Sequence, residues 1–297
     1  MMHKLFQAAV VVLFSSAQAP VLAGPFGSGE NMSRNASRLV DSGHAPVNGI
    51  DMYYEIHGRE DGVPLVLLHG GGSTIEVTFS QVLTLFAESR RVIAVEEQGH
   101  GRTSDRDAPV RFETSADDVA ALLGHLGVAQ ADVFGFSNGA SIALQLAIRH
   151  PARVRKLVFA SSMTRRDGAH PQLWEFMEQA DFSNMPQPLK DAFLRVNPDE
   201  LQLRTMHDKD AERMRNFRDV PDGQLRSVRA PTLIVLGDHD IVKPEHAIEL
   251  TRLIDGARLL ILPGGHGDYL GEAVTTQRPG PYPELTAGLI EAFLDGD

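Results

Sequence analysis

Six stretches of the chain are apolar at nearly every position: VPLVLLH (63–69), RVIAVEE (91–97), ADVFGF (131–136), VRKLVFASS (154–162), APTLIVLGD (230–238) and ARLLILPG (257–264). None shows the in–out alternation of a half-solvated strand. A continuous apolar run suits a strand buried on both faces, as in a parallel sheet covered by helices. Between most of these runs, apolar residues recur at helical spacing, over 75–89, 114–126, 138–149, 244–254 and 283–294. Strand alternating with helix predicts an α/β fold, a mostly parallel central sheet with helices on both faces. Ahead of it, HAPVNGIDMYYEIH (44–57) holds two strand-like runs joined at Asn48-Gly49, a dipeptide that favours a tight hairpin turn.

The alternation breaks over 164–227. This stretch has no β-like run, is rich in Met, Phe and charge, follows a helical period and carries the chain's one tryptophan, Trp174. It predicts a helical cap inserted into a core formed by 44–163 and 228–297. In sheets of this kind ligands bind at the carboxyl ends of the strands. An insertion leaving from such an end lies over that site. A helical surface subdomain with no part in binding is the plainer alternative.

Composition changes the picture mainly at the amino terminus. In MMHKLFQAAVVVLFSSAQAPVLAG, Lys4 precedes an apolar stretch over 5–14, and small residues follow, with Val21 and Ala23 placed for cleavage after Ala23. That is the layout of a secretory signal peptide over residues 1–23. The apolar stretch is too short to span a bilayer. The expectation is an exported protein, periplasmic or secreted, with no stable membrane anchor; a buried amino-terminal helix is the alternative. Residues 24–43, rich in Gly, Ser and Asn, predict a flexible leader. The chain has no cysteine, which excludes disulfides, thiolate nucleophiles and Cys-based metal sites. Its formal net charge of −11 argues against nucleic acid as a partner, because phosphate binding needs clustered Lys and Arg. Nothing in the sequence marks an oligomeric state.

The chemistry starts at Gly135-Phe136-Ser137-Asn138-Gly139. Here G-x-S-x-G falls between a predicted strand and a predicted helix, the context in which it forms a strained turn that projects a serine hydroxyl from the end of a sheet. A tight turn without chemistry is the bland alternative. A serine hydroxyl is a weak nucleophile and needs a base and an acid that orients the base. In this arrangement the chain order is serine, acid, histidine. Asp240 follows the run at 230–238, with Asp238 the second choice, and His266 follows the run at 257–264. Ser137, Asp240 and His266 are therefore the candidate catalytic residues; His239 and His246 are expected at the surface. His69-Gly70-Gly71-Gly72 follows the first apolar run, where glycines let backbone N–H groups approach a substrate oxygen. The N–H groups of Gly71 and Asn138 form the candidate oxyanion hole. Gly70, Gly72, Met163, Trp174 and Met177 are candidate pocket residues, although such cap side chains equally form the core between cap helices. Histidines four apart, as a helical zinc site requires, do not occur, and this chemistry calls for neither metal nor cofactor.

HGGG, GFSNG, GDHD and GGHGD, in this order and spacing, resemble the α/β-hydrolase superfamily over residues 44–163 and 228–295, with the cap between. EQGHGRTSD (97–105) is similar to the family segment D-x-R-G-x-G-x-S, from which Glu97, Gln98 and Thr103 depart; His100 within it is expected to be structural. Members that open epoxides or remove halide carry Asp at the elbow, so the resemblance with Ser there implies acyl transfer. It implies attack by Ser137 with His266 as base, an acyl-enzyme, and then water. The implied partner is a small-molecule carboxylic ester or lactone. The HGGG and cap layout also resembles esterases that open large lactone rings, including macrolide esterases. A C–C bond hydrolase and a cofactor-free perhydrolase share triad and cap. A binding protein that kept the fold without turnover is the alternative of another class.

Overall fold

The computed structural model describes residues 39–276 and 280–296. The expected signal peptide and most of the expected leader lie outside these residues. The described chain opens with a hairpin: β1 (Leu39–Val47) and β2 (Ile50–Gly58) pair antiparallel across Asn48 and Gly49. Their φ values of 46° and 85° are the positive pair that the tight turn demands. β1 begins at Leu39, so the end of the stretch expected as leader belongs to the sheet. It sits on the sheet edge and is mostly exposed, so no apolar run marks it.

β3 (Leu65–Leu68), β4 (Arg91–Val95), β5 (Ala131–Phe136) and β6 (Val154–Ala160) follow. β7 (Thr232–Gly237) and β8 (Arg258–Leu262) complete the sheet, in the order β1-β2-β4-β3-β5-β6-β7-β8. β3 to β8 pair parallel, and β2 alone runs against the rest. Successive residues divide between two cores. Leu65 and Leu67 of β3 face one layer, Val66 and Leu68 the other; Val92 and Ala94 against Ile93 and Val95 repeat this in β4. Each Val, Leu or Ile among them is worth about 1.5–3 kcal/mol when taken fully out of water, which is why the runs carry few polar positions.

The helix expected over 75–89 is two, α1 (Ile75–Phe79) and α2 (Leu83–Ser89). At the break between them Gln81 lies against Gly271, in the loop that carries His266. α3 (Phe112–His125) and α4 (Asn138–Arg149) cover the opposite face of the sheet from α1 and α2. Between β6 and β7 come the helices α5 (Pro171–Glu178), α6 (Gln187–Val196), α7 (Glu200–Arg215) and α8 (Asp222–Leu225), with one isolated bridge, Ala169 to Val242. α9 (Pro244–Leu253) then joins the side of α3 and α4, and α10 (Tyr282–Asp295) that of α1 and α2. The cap is moored to the loop after β4. Asn197 Nδ2 donates to Gly101 O at 2.9 Å, Gln202 Nε2 to Thr103 O at 2.9 Å, and Lys209 Nζ to Arg106 O at 2.7 Å. This brings α7 over the carboxyl ends of the strands.

Candidate active site

β5 ends at Phe136 and α4 begins at Asn138, leaving Ser137 between them at φ 55° and ψ −121°. A non-glycine residue held in such a region costs about 1–3 kcal/mol. Close backbone packing holds it there. Ser137 N–H donates to Ala160 O at 2.9 Å. A Cβ on Gly135 would lie 2.1 Å from Gly139 O, and one on Gly139 would lie 2.1 Å from Leu68 O. Strand and helix cross so closely that only a hydrogen fits at either position, which accounts for a glycine two residues to each side of the serine.

His266 Nε2 stands 3.1 Å from Ser137 Oγ, and its Nδ1 2.8 Å from Asp240 Oδ1. Asp240 is fully buried at its side chain and accepts, so Nδ1 carries the proton and Nε2 is free to accept from the serine hydroxyl. Asp240 also accepts from the N–H groups of Gly237 and Val242, both at 3.3 Å, and from the Ser161 hydroxyl at 2.5 Å. Burial opposes its ionisation. The facing His266 ring and these donors outweigh burial and hold the carboxyl below its ordinary pKa. Asp238, the second choice, is exposed and accepts from Gly264 N–H at 2.8 Å, so it shapes the His266 loop rather than the imidazole. Phe136 covers one side of the imidazole, ring centroids 4.8 Å apart. A hydroxyl in line with an imidazole and a buried carboxylate can lose its proton as it attacks an electrophilic carbon.

The glycine loop after β3 meets the start of α4 here, where a Cβ on Gly71 would lie 2.3 Å from Asn138 Nδ2. Gly70 N–H donates to Thr78 Oγ1 at 3.3 Å and Gly72 N–H to His100 Nε2 at 3.1 Å. The N–H of Gly71 has no partner among the described residues, and neither has that of Asn138 at the first position of α4. The Gly70 backbone lies against Ser137, where an added Cβ would be 3.5 Å from the serine Cβ. Gly72 faces Met185 and Leu189 of the cap. His100 is fully buried and has the structural role expected of it, its Nδ1 donating to Gln98 O at 3.0 Å and its Nε2 holding the glycine loop.

Asp210 of α7, which carries no mark in the sequence among the charges of its helix, reaches this corner from the cap. It accepts from Asn138 Nδ2 at 3.2 Å and from Arg213, whose other nitrogen donates to Glu97 Oε2 at 2.8 Å. Burial opposes the ionisation of Asp210, but the Arg213 charge holds it well below the usual carboxylate range; His100 Nε2 stands 3.9 Å from its Oδ2. Asp210 and Gly72 N–H therefore compete for one nitrogen of His100. The departures from the family segment have partners here too. Glu97 pairs with the cap, Gln98 Nε2 donates to Asp105 Oδ1 at 2.7 Å, and Thr103 Oγ1 donates to Glu96 O at 2.7 Å.

The expected pocket residues divide. A cavity of about 440 Å³ lies between α3, α4 and α7, with Phe112, Ser141, Met163, Arg213 and Phe217 in its wall. Met163 lines it, but Ser137, Asp240 and His266 do not. Trp174 is not brought to the serine: it packs on Phe217 at 5.4 Å, donates from Nε1 to Arg166 O at 2.7 Å and lies under the Arg166 guanidinium. Met177, half-buried on the same helix, is not in the cavity wall either. An amphipathic cap helix buries its apolar side against its own neighbours first. His246, expected at the surface, is 4% exposed; its Nε2 accepts from Thr164 N–H at 3.1 Å, because α9 packs against the start of the cap.

His69 makes a prediction about stability. It is fully buried, donates from Nδ1 to Gly70 O at 2.7 Å and accepts at Nε2 from Glu97 N–H at 3.2 Å. Burial pushes its pKa down from 6.5 to about 4. Between those values the unfolded chain binds more protons than the folded one, so stability rises with pH across the window. Acidification from pH 6.5 to 4 is expected to cost about 3 kcal/mol through this residue. Urea denaturation across that range checks it, with His69→Asn flattening the slope; an unchanged slope in the variant would refute the assignment.

Comparison with known proteins agrees with this architecture. Residues 63–216 match the family model described as alpha/beta hydrolase fold. Over 111 residues the chain is 40% identical to 2-hydroxymuconate semialdehyde hydrolase of Pseudomonas sp. (strain CF600), a match spanning 36% of this chain and 39% of that protein. It is 28% identical over 236 residues to the serine hydrolase BPHL of Homo sapiens, covering 76% of this chain and 80% of that one. Among solved structures, a membrane phospholipase A superposes with a TM-score of 0.72 at 24% identity, over 86% of each chain. The enol-lactonase from Burkholderia xenovorans LB400 superposes with a TM-score of 0.67 at 21% identity, over 85% of this chain and 100% of that one. At such identities the superpositions speak for the fold alone.

Proposed function

The chain belongs to the α/β hydrolase fold family, and on that premise we propose that it is a serine hydrolase that cleaves a carboxylic ester or lactone through an acyl-enzyme on Ser137. The observation that carries this reading is the unbroken hydrogen-bond chain from Ser137 Oγ through His266 to buried Asp240. Ser137 Oγ bonds to the carbonyl carbon while its proton passes to His266 Nε2. Asp240 keeps the imidazole in the receptive tautomer and stabilises the imidazolium. The carbonyl oxygen, now negative, is met by the free N–H groups of Gly71 and Asn138. The C–O bond to the alcohol then breaks, and His266 returns the proton to the leaving oxygen. Water attacks the acyl carbon with His266 as base, releasing the acid and restoring Ser137.

Macrolactones fall within the proposed substrate class. The second reading is C–C bond cleavage, supported by the 111-residue stretch that is 40% identical to a semialdehyde hydrolase. A fluorophosphonate added to the folded protein is expected to give a single adduct by intact mass, and none on Ser137→Ala. A panel running from short acyl esters to macrolactones, with a C–C hydrolase substrate beside them, then separates the readings by turnover. A folded parent that takes no adduct would sink both; an adduct without steady-state turnover of anything would point to a binding protein.

A further inference from the structure

Behind the acid lies a second pair of hydroxyls. Ser161 directly follows β6 and has φ 51°; with Asn48 in the hairpin turn and Ser137 at the elbow, it is one of three non-glycine residues with positive φ among those described. Its backbone N–H donates to Val235 O of β7 at 2.8 Å, fixing it between the strand that ends at the elbow's neighbour and the strand that leads to Asp240. Its Oγ lies 2.5 Å from Asp240 Oδ2 and 2.6 Å from the hydroxyl of Tyr269, three residues beyond His266. Tyr269 is fully buried.

The protons can be placed. Asp240 is acceptor-only when ionised, so Ser161 gives it its single proton. Ser161 Oγ then accepts, so Tyr269 donates. Burial, and then the charge of Asp240, push the Tyr269 pKa well above that of a free phenol, so it stays a donor throughout the working pH range. The terminal torsion of a carboxylate is soft, and the backbone donors on Asp240, Gly237 N–H to Oδ2 and Val242 N–H to Oδ1, are both long at 3.3 Å. A charge-assisted bond on Oδ2 fixes the carboxylate plane and so presents Oδ1 to His266 Nδ1. Backbone strain of the kind seen at Ser161 persists where surrounding structure over-determines it and gathers at active sites.

We propose that Ser161 and Tyr269 are positioning residues for the hydrolytic reaction, Tyr269 acting through Ser161 to set the Asp240 carboxylate against His266. This rests on the reading of Ser137, His266 and Asp240 given above. The test uses a fluorophosphonate as probe, because saturating its labelling rate separates binding (KI) from chemistry (kinact) without a known substrate. Tyr269→Phe and Ser161→Ala are each expected to lower kinact about tenfold with KI unchanged. The double variant should be no slower than Ser161→Ala, since Tyr269 reaches the acid only through Ser161. Parental kinact in both variants, a change confined to KI, or losses that multiply in the double variant would each overturn the proposal, the last being what independent packing defects produce. If Ser161→Ala does not fold, Tyr269→Phe, which removes one oxygen and keeps the ring in the core, decides by the same criterion. A parent that takes no adduct on Ser137 overturns the underlying reading instead, so the two failures are told apart.

Discussion

Replacing His266 by alanine is expected to lower kcat on a cleaved ester by about 10^5-fold to 10^6-fold. The serine hydroxyl then has no acceptor at 3.1 Å for its proton, and the leaving oxygen has no donor. Asp240→Asn is expected to lose about 10^4-fold. Its amide presents the same shape but can turn an N–H toward Nδ1, which forces the proton onto Nε2, the nitrogen that must accept from Ser137. In the proposed mechanism the three residues act as one unit, so Ser137→Ala combined with His266→Ala should be no slower than the worse single variant. What remains in each is catalysis by the Gly71 and Asn138 donors and by binding. The His266 side chain is 19% exposed beside Phe136, but its loss takes from buried Asp240 the ring that faces it, so a lower melting temperature is expected beside the lost turnover. Steady-state kinetics beside thermal melts check this; single effects that multiply in the double variant would contradict a shared machine.

The second large effect falls on stability. Gly139→Ala is expected to destabilise the fold by about 4 kcal/mol or more, beyond the usual range for overpacking. The added carbon would sit 2.1 Å from Leu68 O and 2.5 Å from His69 O. Both are backbone atoms of β3 and of the glycine loop, so no rotamer change relieves the clash. α4 would have to move away from the sheet, carrying Asn138 and the elbow with it. Gly288→Ala is the matched control. It lies exposed in α10 with nothing near the added carbon, and alanine there is expected to stabilise by about 0.4–1 kcal/mol through chain entropy and helix propensity. Urea unfolding of both variants tests the pair; a parental midpoint for Gly139→Ala would mean that strand and helix do not cross as closely as described.

By itself the sequence determined the parts of this protein whose limits are local. A parallel strand covered on both faces must be apolar at nearly every position, so the runs at 131–136 and 154–162 stand out, and β5 and β6 lie within them, with Asp132 and Arg155 paired to each other. The crossing at the elbow admits only hydrogen at Gly135 and Gly139, so the serine between them is marked. Asp240 and His266 follow strands in the expected chain order, and among the glycines after β3 the N–H of Gly71 has no partner among the described residues. An exposed edge strand such as the first half of β1 obeys no such limit and leaves no mark. The amphipathic pattern around Trp174 shows that the ring is covered but not that Phe217 covers it. Asp210 with Asn138, Ser161 with Asp240 and Tyr269 with Ser161 are joined across 72, 79 and 108 residues. Only the tertiary structure decided these. A hydrogen bond depends on distance in space, and the ends of β6 and β7 and the loop after β8 come to one point only once the order of strands in the sheet is settled.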